Sequence, residues 1–106
     1  MRIQKQFSFD AAHYLPHAPD GHPNRRLHGH SFRVIVCLDG MPDDATGLIR
    51  DFGDVNAQLM DVREELDHRF LNEIEGLEKP TLENITLWLW TRLQAALPEL
   101  ARIEIH

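Results

Sequence analysis

Two imidazoles stand two residues apart in Leu27-His28-Gly29-His30-Ser31-Phe32, at the mouth of a run that reads as a β-strand. In a strand, residues i and i+2 point to the same face, about 6.5 Å apart along the chain. That separation lets His28 and His30 grip one metal ion, with each Zn–N bond at about 2.0 Å. Gly29 between them removes a side chain where something can approach closely. A third imidazole, His13, closes Ala11-Ala12-His13 just past another strand-like run. Three neutral histidines with an open fourth position are the pattern of a catalytic zinc site, not of a structural one. The competing reading is ordinary. The chain has 7 histidines, at positions 13, 17, 22, 28, 30, 68 and 106, and two of them fall at i, i+2 by chance often enough on a surface.

The rings must be positioned by the elements around them. Residues 2–10 alternate, with Ile3, Lys5, Phe7 and Phe9 on one face and Arg2, Gln4, Gln6 and Ser8 on the other, which is a half-buried strand. Residues 11–27 hold Pro16, Pro19, Pro23 and Gly21 and read as a loop. Its length is unusual for a small domain, and His13, His17 and His22 lie in it with His28 next to it, so it is expected to build a site. In residues 30–39, His30, Phe32, Val34, Val36 and Leu38 share one strand face and Ser31, Arg33, Ile35 and Cys37 the other. Both faces are apolar in the middle, which predicts cover on both sides. A turn at Met41-Pro42-Asp43-Asp44 precedes a short extended piece at 47–52.

A helix is expected over 54–67 from the stripe Val55, Leu59, Val62, Leu66. Thr81 is a good N-cap for a second helix, whose apolar face is Ile85, Trp88, Leu89, Leu93, Ala96 and Leu97, and Pro98 stops it. Residues 101–106 alternate as a third strand. The order β, long loop, β, α, α, β is an α+β layer arrangement.

A chain of 106 residues is one domain. At that size only about two thirds of the unfolded surface is buried, so association of copies is a natural supplement. The balance of 11 basic against 17 acidic residues, net −6, argues against a nucleic-acid partner and against an anionic membrane. The single cysteine, Cys37, excludes an internal disulfide and fits a reducing compartment. The first residues carry no apolar signal-peptide core, and no apolar run has the length of a membrane span, so a cytoplasmic location is expected.

Five segments in order carry a resemblance: Phe7-Ser8-Phe9-Asp10-Ala11-Ala12-His13, Leu27 to Phe32, Gly47-Leu48-Ile49-Arg50-Asp51-Phe52, Leu66-Asp67-His68-Arg69-Phe70-Leu71-Asn72, and Lys79-Pro80-Thr81-Leu82-Glu83-Asn84. Together they resemble the 6-pyruvoyl-tetrahydropterin synthase family, and within it the bacterial 6-carboxytetrahydropterin synthases of queuosine biosynthesis. The resemblance implies a single tunnelling (T-) fold domain over 1–106, an antiparallel sheet with two helices on one face, closed into a barrel by a hexamer-like homo-oligomer. It implies Zn2+ on His13, His28 and His30, in agreement with the spacing, and 7,8-dihydroneopterin triphosphate as the pterin substrate of a triphosphate-eliminating lyase.

It further implies catalytic roles for Asp67 and His68, and a pterin-pocket position for Thr81 and Glu83. A carboxylate beside an imidazole sets its tautomer and raises its basicity, and histidine titrates close to neutral pH. Adjacent side chains do not readily bond one another, so the geometry of Asp67-His68 must come from the fold. Read without the resemblance, Asp67-His68 is a helix end with a favourably placed cation, and Thr81 and Glu83 are a helix cap and first turn.

The chain departs from the family pattern at two places. Asn24 occupies the catalytic cysteine position, and an amide does not titrate near neutral pH. Cys37 cannot replace that thiol, lying about 23 Å along the strand from His30 and on the opposite face. The family's ring-anchoring glutamate and a fourth strand follow the third strand, whereas this chain stops at His106, so that strand is expected to be missing or truncated. Glu104 is either a displaced anchor or an exposed strand carboxylate. These departures leave a second function open: a cysteine-less relative that binds metal and pterin without synthase activity, or one that performs an aldolase- or epimerase-like reaction on the pterin side chain.

Overall fold

The longest feature is a β-hairpin of two 12-residue strands, β1 (Arg2–His13) and β2 (His28–Asp39), paired antiparallel from Arg2↔Asp39 to His13↔His28. The computed structural model describes all 106 residues, Met1–His106. A short strand β3 (Leu100–Ile105) pairs antiparallel with the far side of β2, giving the order β1-β2-β3. Two 15-residue helices, α1 (Phe52–Leu66) and α2 (Leu82–Ala96), pack on one face of this sheet.

The alternation in β1 does what period 2 requires. Phe7, Phe9, Ala11 and His13 are buried, and the residues between them are exposed or half-buried. Phe32, Val34, Val36 and Leu38 of β2 meet them on the same face. Val55, Leu59, Val62 and Leu66 of α1 and Ile85, Leu89 and Leu93 of α2 close the core from above. Thr81 caps α2, its hydroxyl oxygen accepting the Asn84 N–H at 3.1 Å.

Phe9 is 1% exposed, and its ring lies 4.8 Å from that of Phe32, directly beneath the histidine end of the hairpin. Phe9→Ala is expected to cost about 3–5 kcal/mol of unfolding free energy. Urea titration checks this, and a loss below about 1 kcal/mol would mean that this ring is not a keystone of the core.

Several expectations are corrected. The first strand continues through His13 and the second starts at His28, because the ladder stays in register to that pair. The site loop is therefore 14–27, with a 3-10 turn at Pro23–Arg25. Residues 47–51 form no strand. Asp43 accepts the N–H groups of Ala45 and Thr46 and donates its own N–H to Leu48, Gly47 sits at φ 73°, and α1 already begins at Phe52. Arg50 is drawn instead into a two-point ion pair with Glu99, both bonds 2.9 Å.

Nor is β2 covered on both sides. Its outer face has Cys37 buried, but Ile35 is only half-buried, and Arg33 and Ser31 are exposed. The chain is elongated, 57 × 20 × 20 Å, with a radius of gyration of 15.7 Å against about 13 Å for a compact chain of this length. No helix is long and apolar enough to cross a membrane.

Candidate metal centre and its surroundings

The end of the β1–β2 hairpin brings the three imidazoles together. Ring centroids are 4.6 Å apart for His13–His28, 5.1 Å for His13–His30 and 4.6 Å for His28–His30. One ring nitrogen from each lies within 4.8 Å of the others. The register explains this. His13 faces His28 across the ladder, and His30 sits two residues further along the same face.

His13 is 5% exposed, and its Nδ1 pairs with the Pro80 carbonyl at 2.9 Å. A carbonyl only accepts, so the proton is on Nδ1 and the lone pair on Nε2. That Nε2 is buried without a partner. His28 repeats the device, its Nδ1 donating to the Arg26 carbonyl at 2.7 Å. Backbone carbonyls that fix the tautomer and leave the other nitrogen facing inward are the usual supports of metal-binding histidines. Burial, the larger influence, holds His13 below the ordinary imidazole pKa. The Pro80 hydrogen bond opposes it, and the neighbouring His28 and His30 add to it. The neutral form is thus favoured, as ligation requires. The donor set and the orphaned nitrogen fit a divalent cation with an affinity for nitrogen.

The triad lines a cavity of about 370 Å³. Asn24, Thr81 and Glu83 line the same cavity, with Leu15, Leu82 and His106. Asn24 is held by its backbone: its N–H donates to His22 Nδ1 at 3.1 Å, and its carbonyl accepts from Leu15 N–H at 2.7 Å. Asp20 and Arg25 are spent inside the loop, paired at 3.1 Å, and Arg25 also donates to the Ala18 carbonyl. Glu104 does not reach the cavity. It lies opposite Ile35 on the other sheet face and binds Arg102 at 2.8 Å.

Asp67 and His68 do bond one another, Asp67 Oδ2 to His68 Nδ1 at 2.9 Å, contrary to the expectation for adjacent side chains. The reason is the backbone. His68 sits at φ 57°, a left-handed turn that swings its ring back over Asp67. The turn is pinned by His68 N–H donating to the Asp10 carbonyl at 2.6 Å and by Asp10 N–H donating to Asp67 Oδ1 at 2.9 Å. The Asp10 N–H, above all, holds the Asp67 carboxyl below the usual range, with His68 and Arg63 adding to it. The dyad does not line the triad's cavity. His68 opens on a second hollow bounded by Asp10, Gly29 and Phe70, which only touches the first at His30 and Ser31.

Sequence reasoning missed the Pro80 carbonyl, which no side-chain pattern can announce, and the Asp10 backbone that holds the dyad. Asn72 was visible only as the end of a motif.

A hairpin whose end gathers three imidazoles, backed by two helices on one sheet face, defines an α+β protein with a candidate metal site. The chain belongs to the 6-pyruvoyl tetrahydropterin synthase family, whose profile matches residues 2–106. It is 44% identical to a 6-carboxy-5,6,7,8-tetrahydropterin synthase of Synechocystis over 97% of this chain and 83% of that protein. It is 39% identical to a dihydroneopterin monophosphate aldolase of Pyrococcus furiosus over 92% of this chain and 78% of that one. In fold it superposes on the 6-pyruvoyl tetrahydropterin synthase of Caenorhabditis elegans with a TM-score of 0.90, covering 100% of this chain and 87% of that one at 24% identity. The α+β architecture is that of the T-fold.

Proposed function

We propose that this protein is a zinc-dependent lyase acting on the side chain of a reduced pterin, of the 6-carboxy-5,6,7,8-tetrahydropterin synthase type, with 7,8-dihydroneopterin triphosphate as its substrate. The observation that carries this is the converging triad of His13, His28 and His30 on the wall of a cavity that Thr81 and Glu83 also line. Zinc, when held by these three rings, supplies Lewis acidity toward the side-chain hydroxyls of the substrate. The other roles fall to the chain's own groups. Glu83 is the one carboxylate on the cavity wall and accepts hydrogen bonds from ring N–H groups. The Thr81 hydroxyl oxygen is already used by Asn84 N–H, which leaves its proton to donate. Asn24 both donates and accepts, and so holds a hydroxyl in place without removing its proton.

Proton movement is assigned to His68. Asp67 keeps the proton of His68 on Nδ1, so Nε2 is the basic atom. Because the dyad opens on a different hollow from the triad, its proton path closes between copies of the chain. A homo-oligomer, hexamer-like in the barrel of its fold, supplies that second copy. The 57 Å length and the partly bare outer face of the sheet support association.

A second reading is supported by one observation: Asn24 lines the triad's cavity, and the resemblance expects a thiol there. Without a thiol, cleavage of the C1′–C2′ bond alone, as an aldolase performs it, needs only a base at a side-chain hydroxyl and a proton returned to C1′. The test is product analysis on the zinc-loaded protein with dihydroneopterin triphosphate and, separately, the monophosphate. The first reading expects a 6-carboxy pterin with released triphosphate and acetaldehyde. The second expects a 6-hydroxymethyl pterin and a two-carbon aldehyde phosphate from the monophosphate. Asn24→Cys is expected to raise synthase turnover by about 100-fold, the lower end of the usual range for a positioned acid–base group. A binder without catalysis would turn over neither substrate while holding one zinc per chain.

A further inference from the structure

The outer edge of β1 is stitched to the segment after α1, rung by rung. His68 N–H donates to Asp10 C=O at 2.6 Å, and Ala12 N–H donates to Arg69 C=O at 3.0 Å. Ala12 and Phe70 form a parallel bridge. The last rung is a side chain. Tyr14 N–H donates to Asn72 Oδ1 at 3.0 Å, and Asn72 Nδ2 donates to Tyr14 C=O at 2.9 Å. A carboxamide carries a donor and an acceptor in one plane, like a peptide group, so it can close both bonds on one residue. Asn72 itself is held in a 3-10 turn, Leu71–Glu73, anchored by the fully buried Leu71.

We infer that Asn72 is a positioning residue for His13, acting through the backbone of Tyr14. The β1–β2 pairing ends at His13↔His28, so Tyr14 lies beyond the ladder. The Tyr14 N–H belongs to the peptide plane that turns with ψ of His13. Fixing that N–H, with His13 itself paired with His28 across the ladder, fixes the direction in which the His13 side chain leaves the strand. The ring can then meet two demands together: Nδ1 on the Pro80 carbonyl and Nε2 toward His28 and His30. The same clamp sits one residue before Leu15, whose N–H holds the Asn24 carbonyl. One amide therefore sets both the buried imidazole and the mouth of the site loop.

The inference rests on the metal reading of the triad. Its test is zinc affinity, measured by competition with a chromogenic chelator, alongside the melting temperature of the metal-free protein. Asn72→Ala is expected to weaken zinc binding by about 10–100-fold, the usual effect of losing a support behind a ligand. Asn72→Asp keeps the volume and one acceptor but has no donor for the Tyr14 carbonyl, and is expected to weaken it by about tenfold. Val62→Ala, in α1 away from the triad, is expected to lower the melting temperature with zinc affinity unchanged within about twofold.

A purely structural role for Asn72 would make its variants behave like Val62→Ala. If Asn72→Ala is folded by circular dichroism and binds zinc within about twofold of the parent, the inference is overturned. If that variant does not fold, the same criterion applies to Asn72→Asp. A parent protein that binds no zinc would overturn the metal reading and this inference with it. A parent that binds zinc beside variants that bind it equally well would overturn this inference alone.

Discussion

On the proposed function, His13→Ala is expected to abolish metal binding and to lower turnover of the pterin substrate by about three decades. The buried Nε2 of His13 is the one polar side-chain atom in the core without a partner, in a position that His28 and His30 share within 4.8 Å. Lewis-acid stabilisation of a developing oxyanion is worth several kcal/mol, and about 1.4 kcal/mol is tenfold in rate. Loss of the ring also leaves the Pro80 carbonyl without its hydrogen bond inside the fold, so a fall in melting temperature accompanies the loss of metal. Metal content per chain by elemental analysis, with the steady-state rate, checks both parts. Unchanged metal content in His13→Ala would remove the triad from consideration as the metal site.

His68→Asn is expected to lower kcat by about 100- to 10,000-fold, the range for a positioned general acid–base group, with metal content unchanged. Asparagine is the informative choice because it tolerates the left-handed backbone that His68 adopts at φ 57°. The His68 side chain is 79% exposed, so its loss should barely move the melting temperature. Turnover within about threefold of the parent would mean that the proton is carried by another group. A mixing experiment separates the two half-sites. Co-assembled His13→Ala and His68→Asn chains, each inactive alone, should regain about a quarter of parental activity if one copy supplies the triad and another the dyad. If each chain instead holds a complete site, mixing restores nothing.

Strand and helix patterning made the element order legible, because burial on one face writes a period into the chain. Phe7, Phe9, Ala11 and His13 alternate in the sequence and are buried in the structure, and the stripe Val55, Leu59, Val62, Leu66 lies on the core. Boundaries were less legible. The strands run to His13 and from His28 because pairing between distant segments, not local propensity, decides where a ladder stops. The extended reading of 47–52 failed for a similar reason: Asp43 and the Arg50–Glu99 pair shape that segment from outside it.

His28 and His30 share a strand face by spacing alone, and that much of the site belongs to the sequence. The meeting of His13 with them depends on hairpin register, a relation between residues 15 apart that no local pattern contains. Tertiary structure alone decided the tautomers of His13 and His28, through two backbone carbonyls. It alone decided that Asp67 and His68 bond each other, through the left-handed turn pinned by Asp10. It also separated that dyad from the triad's cavity, since which groups open on one hollow depends on how strand edges and connectors pack, and packing is a property of the whole chain.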